Sequence, residues 1–267
     1  MATINDLINL KGRRAMITGA TGGLGKVMAD TLAELGADLV LVDRPGSDFE
    51  TLAATLIEKW GVNVEHYFCD LELQEQRIEL IAGLKSDGTG LNILINNAAF
   101  TGSSDLQGWV VPFEEQTVET WRKALEVNLT AIFELCQGLT PLLKVADGAS
   151  IINIASIYGL YGPDWSLYEG TSMSNPAAYG ASKGGVIQFT RWLATTISPD
   201  IRVNTISPGG IFRNQPEAFV KRYEAKTPLG RMGRDDDFRG VVAYLASDLS
   251  NYMTGQNLVV DGGWGGW

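Results

Sequence analysis

Tyr179 stands four residues before Lys183, in the stretch Ala178-Tyr179-Gly180-Ala181-Ser182-Lys183. Positions i and i+4 of a helix share a face, so the phenol and the ammonium can meet over one patch of surface. A phenol alone titrates near pH 10, but a unit positive charge at ~4 Å, in an effective dielectric of ~20, is worth about 4 kcal/mol, or roughly three pKa units. Such a phenol can exchange a proton near neutral pH, which hydride chemistry at an alcohol or ketone carbon requires. The same spacing also occurs on helices that do no chemistry, as a half-exposed tyrosine beside a solvated lysine. The rest of the chain separates the two readings.

Hydride chemistry needs an acceptor, and Thr18-Gly19-Ala20-Thr21-Gly22-Gly23-Leu24-Gly25 has the make-up of a place to hold one. It follows a short apolar run, Arg14 to Thr18, that reads as a buried strand, and precedes helical periodicity from Lys26 to Leu35. Gly19 allows a tight turn, while Gly23 and Gly25 let backbone and helix start approach a pyrophosphate. Leu24 lies between those two glycines, and Thr18 and Thr21 offer hydroxyls nearby. A second apolar run, Asp38 to Val42, closes at Asp43, 18 residues past Gly25. An acidic side chain there accepts from both adenosine ribose hydroxyls and repels a 2′-phosphate, so NAD is favoured over NADP. Arg44 beside it is either solvent-facing or a phosphate ligand, which weighs the other way. Asp70, with Leu71 after it, is placed either to hold an adenine amino group or to cap a helix, and both readings stand.

These residues need elements to position them. Helices are expected at about 49–60, 73–84, 118–143, 179–197 and 236–247, alternating with strands at 64–69, 91–95, 150–155, 202–206 and 257–260. Apolar strands alternating with helices imply an α/β fold, a doubly wound parallel sheet covered on both faces in three α/β/α layers. No Pro/Ser-rich linker or repeat divides residues 1–267, so a single dinucleotide-binding and catalytic domain is expected. Residues 157–178 and 209–234 read as irregular loops just past strand ends, where an open α/β sheet builds its ligand crevice.

The net charge of −10 argues against nucleic acid and anionic membrane surfaces as partners. Small-molecule chemistry fits it better. Cys69 and Cys136 lack metal-ligand spacing and read as buried free thiols of a reducing cytoplasm. The single His66 removes a histidine-cluster metal site and makes a Ser-His-Asp triad improbable. No metal is expected. Neither a signal peptide nor an 18-residue apolar run is visible, and a cytoplasmic location is expected.

Gly19, Gly23 and Gly25, then Asn96-Asn97-Ala98, Asn128, Ser156, Tyr179 and Lys183 follow in an order that closely resembles the short-chain dehydrogenase/reductase family. Asp70, Pro208-Gly209, Thr254-Gly255-Gln256 and Asp261-Gly262-Gly263 extend the likeness over nearly the full length, in the compact single-domain branch. The resemblance implies about seven parallel strands. It makes Tyr179 the acid/base, Ser156 the donor to the substrate oxygen, and Lys183 the residue that lowers the Tyr179 pKa and binds the nicotinamide ribose. Asn128 would anchor a water linking Lys183 to solvent. Asn97, Ala98, Pro208, Gly209 and Ile211 would join the cofactor site, Ile211 through its backbone to the carboxamide. A homodimer or homotetramer is implied, built partly on the Tyr179 helix with its Gly184-Gly185 and on the chain end with Trp264 and Trp267.

The chain departs from the family pattern in three places. Ala99 stands where glycine is usual, and Arg213 where threonine is common; an arginine there can meet a phosphate or carboxylate of cofactor or substrate. Between Ser156 and Tyr179 lie 22 residues instead of about a dozen. The added length carries Tyr161, Asp164, Trp165, Tyr168, Glu169 and Ser172. It is either a plain surface loop or a substrate wall, aromatics and interleaved carboxylates being suited to sugar rings. Tyr168 to Met173 with Gly209 to Pro216 is similar to a subgroup linked to flagellin modification and surface-sugar biosynthesis. The leading expectation is an NAD-dependent oxidoreductase of a secondary alcohol or ketone, in carbohydrate metabolism. The alternatives are a sugar-nucleotide dehydratase or epimerase with transient NAD redox, and a catalytically silent dinucleotide-binding protein.

Overall fold

Seven strands form one all-parallel sheet in a computed structural model that describes residues 1–101 and 106–267. They are β1 (Arg14–Thr18), β2 (Asp38–Asp43), β3 (Val64–Phe68), β4 (Ile93–Asn96), β5 (Ser150–Ile154), β6 (Arg202–Pro208) and β7 (Asn257–Val260), in the spatial order β3-β2-β1-β4-β5-β6-β7. The order reverses between β1 and β4, where Ala15 pairs with Ile93 and Ile17 with Ile95. In such a sheet the crevice beyond the carboxyl ends at that reversal holds the ligand. Thr18, Asp43 and Asn96 all end there.

The five inner strands bury both faces because their side chains alternate between two cores. Met16, Val40, Val42, Leu94 and Ile151 pack on one side, whose helices include α4 (Gln74–Ser86), α6 (Ala131–Lys144) and α7 (Ala177–Ile197). Ala15, Ile17, Leu39, Leu41, Ile93, Ile95 and Ile152 pack on the other, under α2 (Gly23–Glu34), α3 (Phe49–Trp60) and α9 (Arg239–Ala246). A five-residue α1 (Ile4–Ile8), capped by Thr3 and Asp6, precedes the sheet.

Two expected elements come out differently. The helix expected over 118–143 is α5 (Val118–Leu125), a π-helical turn Glu126–Thr130, and then α6. The extra residue per turn rotates Asn128 inward, fully buried, and such insertions are frequent at functional sites. Arg77 of α4, itself buried, holds that turn with an ion pair to Glu126 at 2.6 Å. Residues 209–234 are not irregular throughout: α8 (Glu217–Lys226) lies inside them. Phe219 and Tyr223, one turn apart, bury its inner face against Leu167, Tyr168 and Met232.

Candidate active site

The turn after β1 is built by glycines whose neighbours leave no room for a side chain. Gly19 has φ +64°, and a Cβ there would lie 2.9 Å from the Ala98 Cα. A Cβ on Gly25 would lie 2.0 Å from the Gly19 carbonyl oxygen, so α2 rests directly on the strand end. The Asn97 amide fastens the turn from the other side, donating to the Thr18 and Gly19 carbonyls at 2.9 and 3.1 Å. Gly22 caps α2 without a side chain, and the helix start opens on a cleft of about 740 Å³. Thr21, Gly23, Leu24, Asp43, Asp70, Leu71, Asn97 and Ala98 line it, as do Ser47, Glu72, Phe100 and Val127, which no motif had singled out. A cradle this glycine-tight, with uncapped N–H groups and a carboxylate at its far end, fits a dinucleotide.

The Asp43 carboxylate accepts from the Thr21 N–H and hydroxyl at 2.9 and 2.7 Å and from the Arg44 N–H at 2.8 Å. These contacts hold it at the cleft without using all its lone pairs. Asp70 caps no helix, since Leu73 stands at the cap of α4; its carboxylate accepts from the Glu72 N–H. Thr18 is buried, and its hydroxyl accepts from the Asn97 and Ala98 N–H groups, stitching β1 to the end of β4 instead of facing the cleft. Pro208, Gly209 and Ile211 are not brought to the cleft walls either: Gly209 lines a separate small cavity and Ile211 bridges to Gly233. Arg213 does reach the cleft. Its guanidinium lies over Gly23, where a Cβ would come within 2.6 Å of Nη2, and it is ion-paired with Asp235.

Tyr179, Lys183 and Ser182 come from the first turns of α7, and Ser156 from two residues past the end of β5, where it caps a 3₁₀ turn. Gly159 makes this meeting possible, since a Cβ on it would lie 2.7 Å from the Lys183 backbone carbon. The Lys183 ammonium is buried and donates to the Ile154 carbonyl at 2.8 Å, 5.8 Å from the Tyr179 ring centroid. Burial pushes its pKa down to about 8. The Tyr179 phenol is pushed above its ordinary value by burial, against a smaller downward pull from its hydrogen bond with Ser156. Burial therefore outweighs any lowering of Tyr179 by Lys183 in this arrangement, where the ammonium donates to a carbonyl and is itself destabilised as a cation.

Asn128 exchanges hydrogen bonds with the Phe100 backbone, accepting at 2.6 Å and donating at 3.2 Å, and donates to the Ser182 hydroxyl at 3.1 Å. That hydroxyl donates to the Tyr179 carbonyl at 2.8 Å. Asn128 thus reaches the tyrosine helix through Ser182, whose part no motif had shown. Gly184 and Gly185 also serve the site from within the chain: Cβ atoms there would lie 3.4 Å from the Gly159 carbonyl oxygen and 2.8 Å from Leu129.

Residues 157–178 fold into two short 3₁₀ turns around a second cavity of about 800 Å³. Tyr158, two residues past Ser156, and Ala177 and Gly180, on either side of Tyr179, form one wall. Tyr161 and Trp165 line it too, as do Val111, Phe113 and Gln116. Tyr168 does not line the cavity; it is buried behind it, its hydroxyl 2.6 Å from that of Tyr158. The interleaved carboxylates are turned away as well. Asp164 pairs with Lys226 of α8, and Glu169 is exposed outside the lining. At the chain end Trp264 stacks on Tyr223 at 5.9 Å, and the Trp267 indole donates to the Lys226 carbonyl at 2.9 Å.

A glycine cradle at the sheet's reversal, together with buried Ser156 and Lys183 and half-buried Tyr179, defines a nicotinamide-dependent oxidoreductase fold. The family described as enoyl-(acyl carrier protein) reductase matches residues 19–265. A tropinone reductase homolog from Arabidopsis thaliana is 35% identical, the match covering 96% of this chain and 91% of that protein. Among solved structures, a short-chain dehydrogenase from Leptospira borgpetersenii with bound NAD+ is 33% identical, with a TM-score of 0.82 and coverage of 99% and 96%. A gluconate 5-dehydrogenase from Burkholderia cenocepacia, in complex with NADP and tartrate, is 29% identical, with a TM-score of 0.84 and coverage of 99% and 100%. The chain belongs to the short-chain dehydrogenase/reductase family, and its chemistry is nicotinamide-dependent transfer between alcohol and ketone. No helix among the described residues is long and apolar enough to cross a membrane.

Proposed function

We propose that this chain is an NAD-dependent oxidoreductase of a secondary alcohol or ketone carried on a polyhydroxylated substrate. The observation that carries the cofactor choice is Asp43, a carboxylate fixed by Thr21 at the far end of the cleft, where a 2′-phosphate would meet like charge. Gly19, Gly23 and Gly25 would admit the pyrophosphate, and Asp43 would accept from the adenosine ribose. When bound, the cofactor supplies the hydride acceptor or donor. The protein's own residues manage the oxygen: Ser156 and Tyr179 stabilise charge developing on it, and Tyr179 carries the proton. Lys183 would hold the nicotinamide ribose and exchange protons with Tyr179, with Asn128 positioning the tyrosine helix through Ser182.

Initial rates with NAD and NADP, followed by nicotinamide absorbance across a panel of alcohols, test this reading. NAD should be preferred, and Asp43→Ala should shrink that preference by at least about tenfold, because it removes both the ribose acceptor and the repulsion. A parent enzyme that prefers NADP overturns the assignment. Conversion of a sugar nucleotide without net reduced cofactor would instead support the transient-redox alternative.

Arg213 adds a cation over the pyrophosphate end. It must leave Asp235 to serve there, so its net effect is modest. Arg213→Ala should weaken ADP-ribose binding by about tenfold in calorimetry while adenosine binding is unchanged. Self-association, the remaining part of the proposal, is supported by the aromatic face of α6 and α7, where Phe133 and Trp192 are 45% and 56% exposed around Phe189.

A further inference from the structure

The cavity beside Tyr179 contains no Lys, Arg, His, Asp or Glu among the described residues that line it. Residues 102–105 bring no cation either, being Gly, Ser, Ser and Asp in sequence. The nearby cations lie outside the lining and are already engaged: Lys183, beside Tyr179, is buried and donates to the Ile154 carbonyl at 2.8 Å. Lys226 is paired with Asp164 on the outer side of the 3₁₀ turn at Trp165–Leu167, and Arg222 donates to the Leu167 and Glu169 carbonyls. Arg213 stands in the other cleft, over Gly23. What the cavity does offer is aromatic surface from Phe113, Tyr161 and Trp165, and neutral polar groups from Thr171, Ser172, Ser174 and Asn175. An anion taken into such a space loses water and gains no countercharge, whereas a hydroxylated ring keeps its hydrogen bonds and stacks its apolar faces.

We infer that the substrate of this cavity is electrically neutral: an alcohol or ketone on a hydroxylated ring or chain that carries no carboxylate, phosphate or nucleoside diphosphate. This rests on the oxidoreductase reading of Tyr179 and goes beyond it. The neutral walls separate this chain from a relative named for gluconate, a carboxylate, and from sugar-nucleotide enzymes, whose substrates carry two phosphates.

Matched pairs test the inference, for example 4-hydroxycyclohexanecarboxamide against 4-hydroxycyclohexanecarboxylate, and glucitol against gluconate. Turnover is followed with NAD, and binding by calorimetry on protein saturated with NADH. The neutral member of each pair should be favoured in kcat/KM, or in binding, by at least about 50-fold. Ser172→Arg places a cation at an exposed rim position, where folding is not at risk. It should shift the ratio at least about tenfold toward the carboxylate, with ADP-ribose affinity unchanged. Equal or better use of the carboxylate, or binding of neither member at 10 mM, overturns the inference. Neutral binding without turnover in any pair would keep the inference and overturn the oxidoreductase reading.

Discussion

Tyr179→Phe should lower kcat by about 10³-fold in both directions while leaving ADP-ribose affinity unchanged. The ring is retained in its cluster with Trp109, Ala124 and Ala178, so the melting temperature should hardly move. What is lost is the proton carrier proposed for the substrate oxygen. Direction and pH give a second readout. Burial raises the Tyr179 pKa, so near neutral pH the phenol holds its proton and is ready to donate during ketone reduction. Alcohol oxidation needs the phenolate, so its rate should climb as pH rises. Lys183, pushed down to about 8, stays charged below that value and loses its proton above it, which removes a positive charge that would favour the phenolate. Oxidation should therefore rise from pH 6 to 8 and then less steeply, while reduction, which uses the protonated phenol, stays nearly level over the same span. In Tyr179→Phe the residual activity should lose this dependence. A phenylalanine protein that works as well as its parent would return the chain to the silent dinucleotide-binding reading.

The candidate site residues were legible because their signals are local. A tyrosine and a lysine four apart on a helix, and glycines at fixed offsets between a strand and a helix, state their geometry within a few residues. The sheet was legible because strands such as β1, β2 and β4 are predominantly apolar on both faces. The misses have a different origin. Asn128 sits in a π-helical turn, and nothing in the apolar periodicity from Val118 to Leu143 marks where one extra residue enters. α8 was hidden by the Gly and Pro residues around it, although Phe219 and Tyr223, four apart, were its available sign. The extended loop misled most. Its carboxylates look interleaved with aromatics along the chain, but Asp164 is turned outward by Lys226, 62 residues away. Arg213 is likewise placed by Asp235, 22 residues on. A side chain's direction set by a distant partner leaves no trace in local spacing.

Gly25→Ala should be the most damaging single-methyl change in the cofactor cradle. The added carbon would lie 2.0 Å from the Gly19 carbonyl oxygen and 2.8 Å from the Ala20 Cα, both backbone atoms of the turn that Asn97 fastens. No side chain can swing aside to relieve it. Overpacking in a yielding core costs about 1–3 kcal/mol, and here α2 must lift from the strand end, so about 3 kcal/mol or more is expected. For a chain of this size that is a fall in melting temperature of roughly 6–12 °C. ADP-ribose binding should weaken by at least about 100-fold, because the displaced helix start carries the N–H groups meant for the pyrophosphate. Gly23→Ala should behave differently. Its methyl meets the Arg213 guanidinium at 2.6 Å and the Asp235 carboxylate at 3.0 Å, the far ends of side chains that can move. It should fold almost normally and lose affinity to the extent that Arg213 matters. Gly240→Ala, in the first turns of α9 with no atom within 4 Å, should be neutral or stabilise by about 0.5–1 kcal/mol. Thermal melts and calorimetry on the three proteins would show this ranking. A Gly25→Ala protein that melts within 2 °C of its parent and binds ADP-ribose equally well would mean that α2 does not rest on the turn, and the dinucleotide cradle would lose its physical basis.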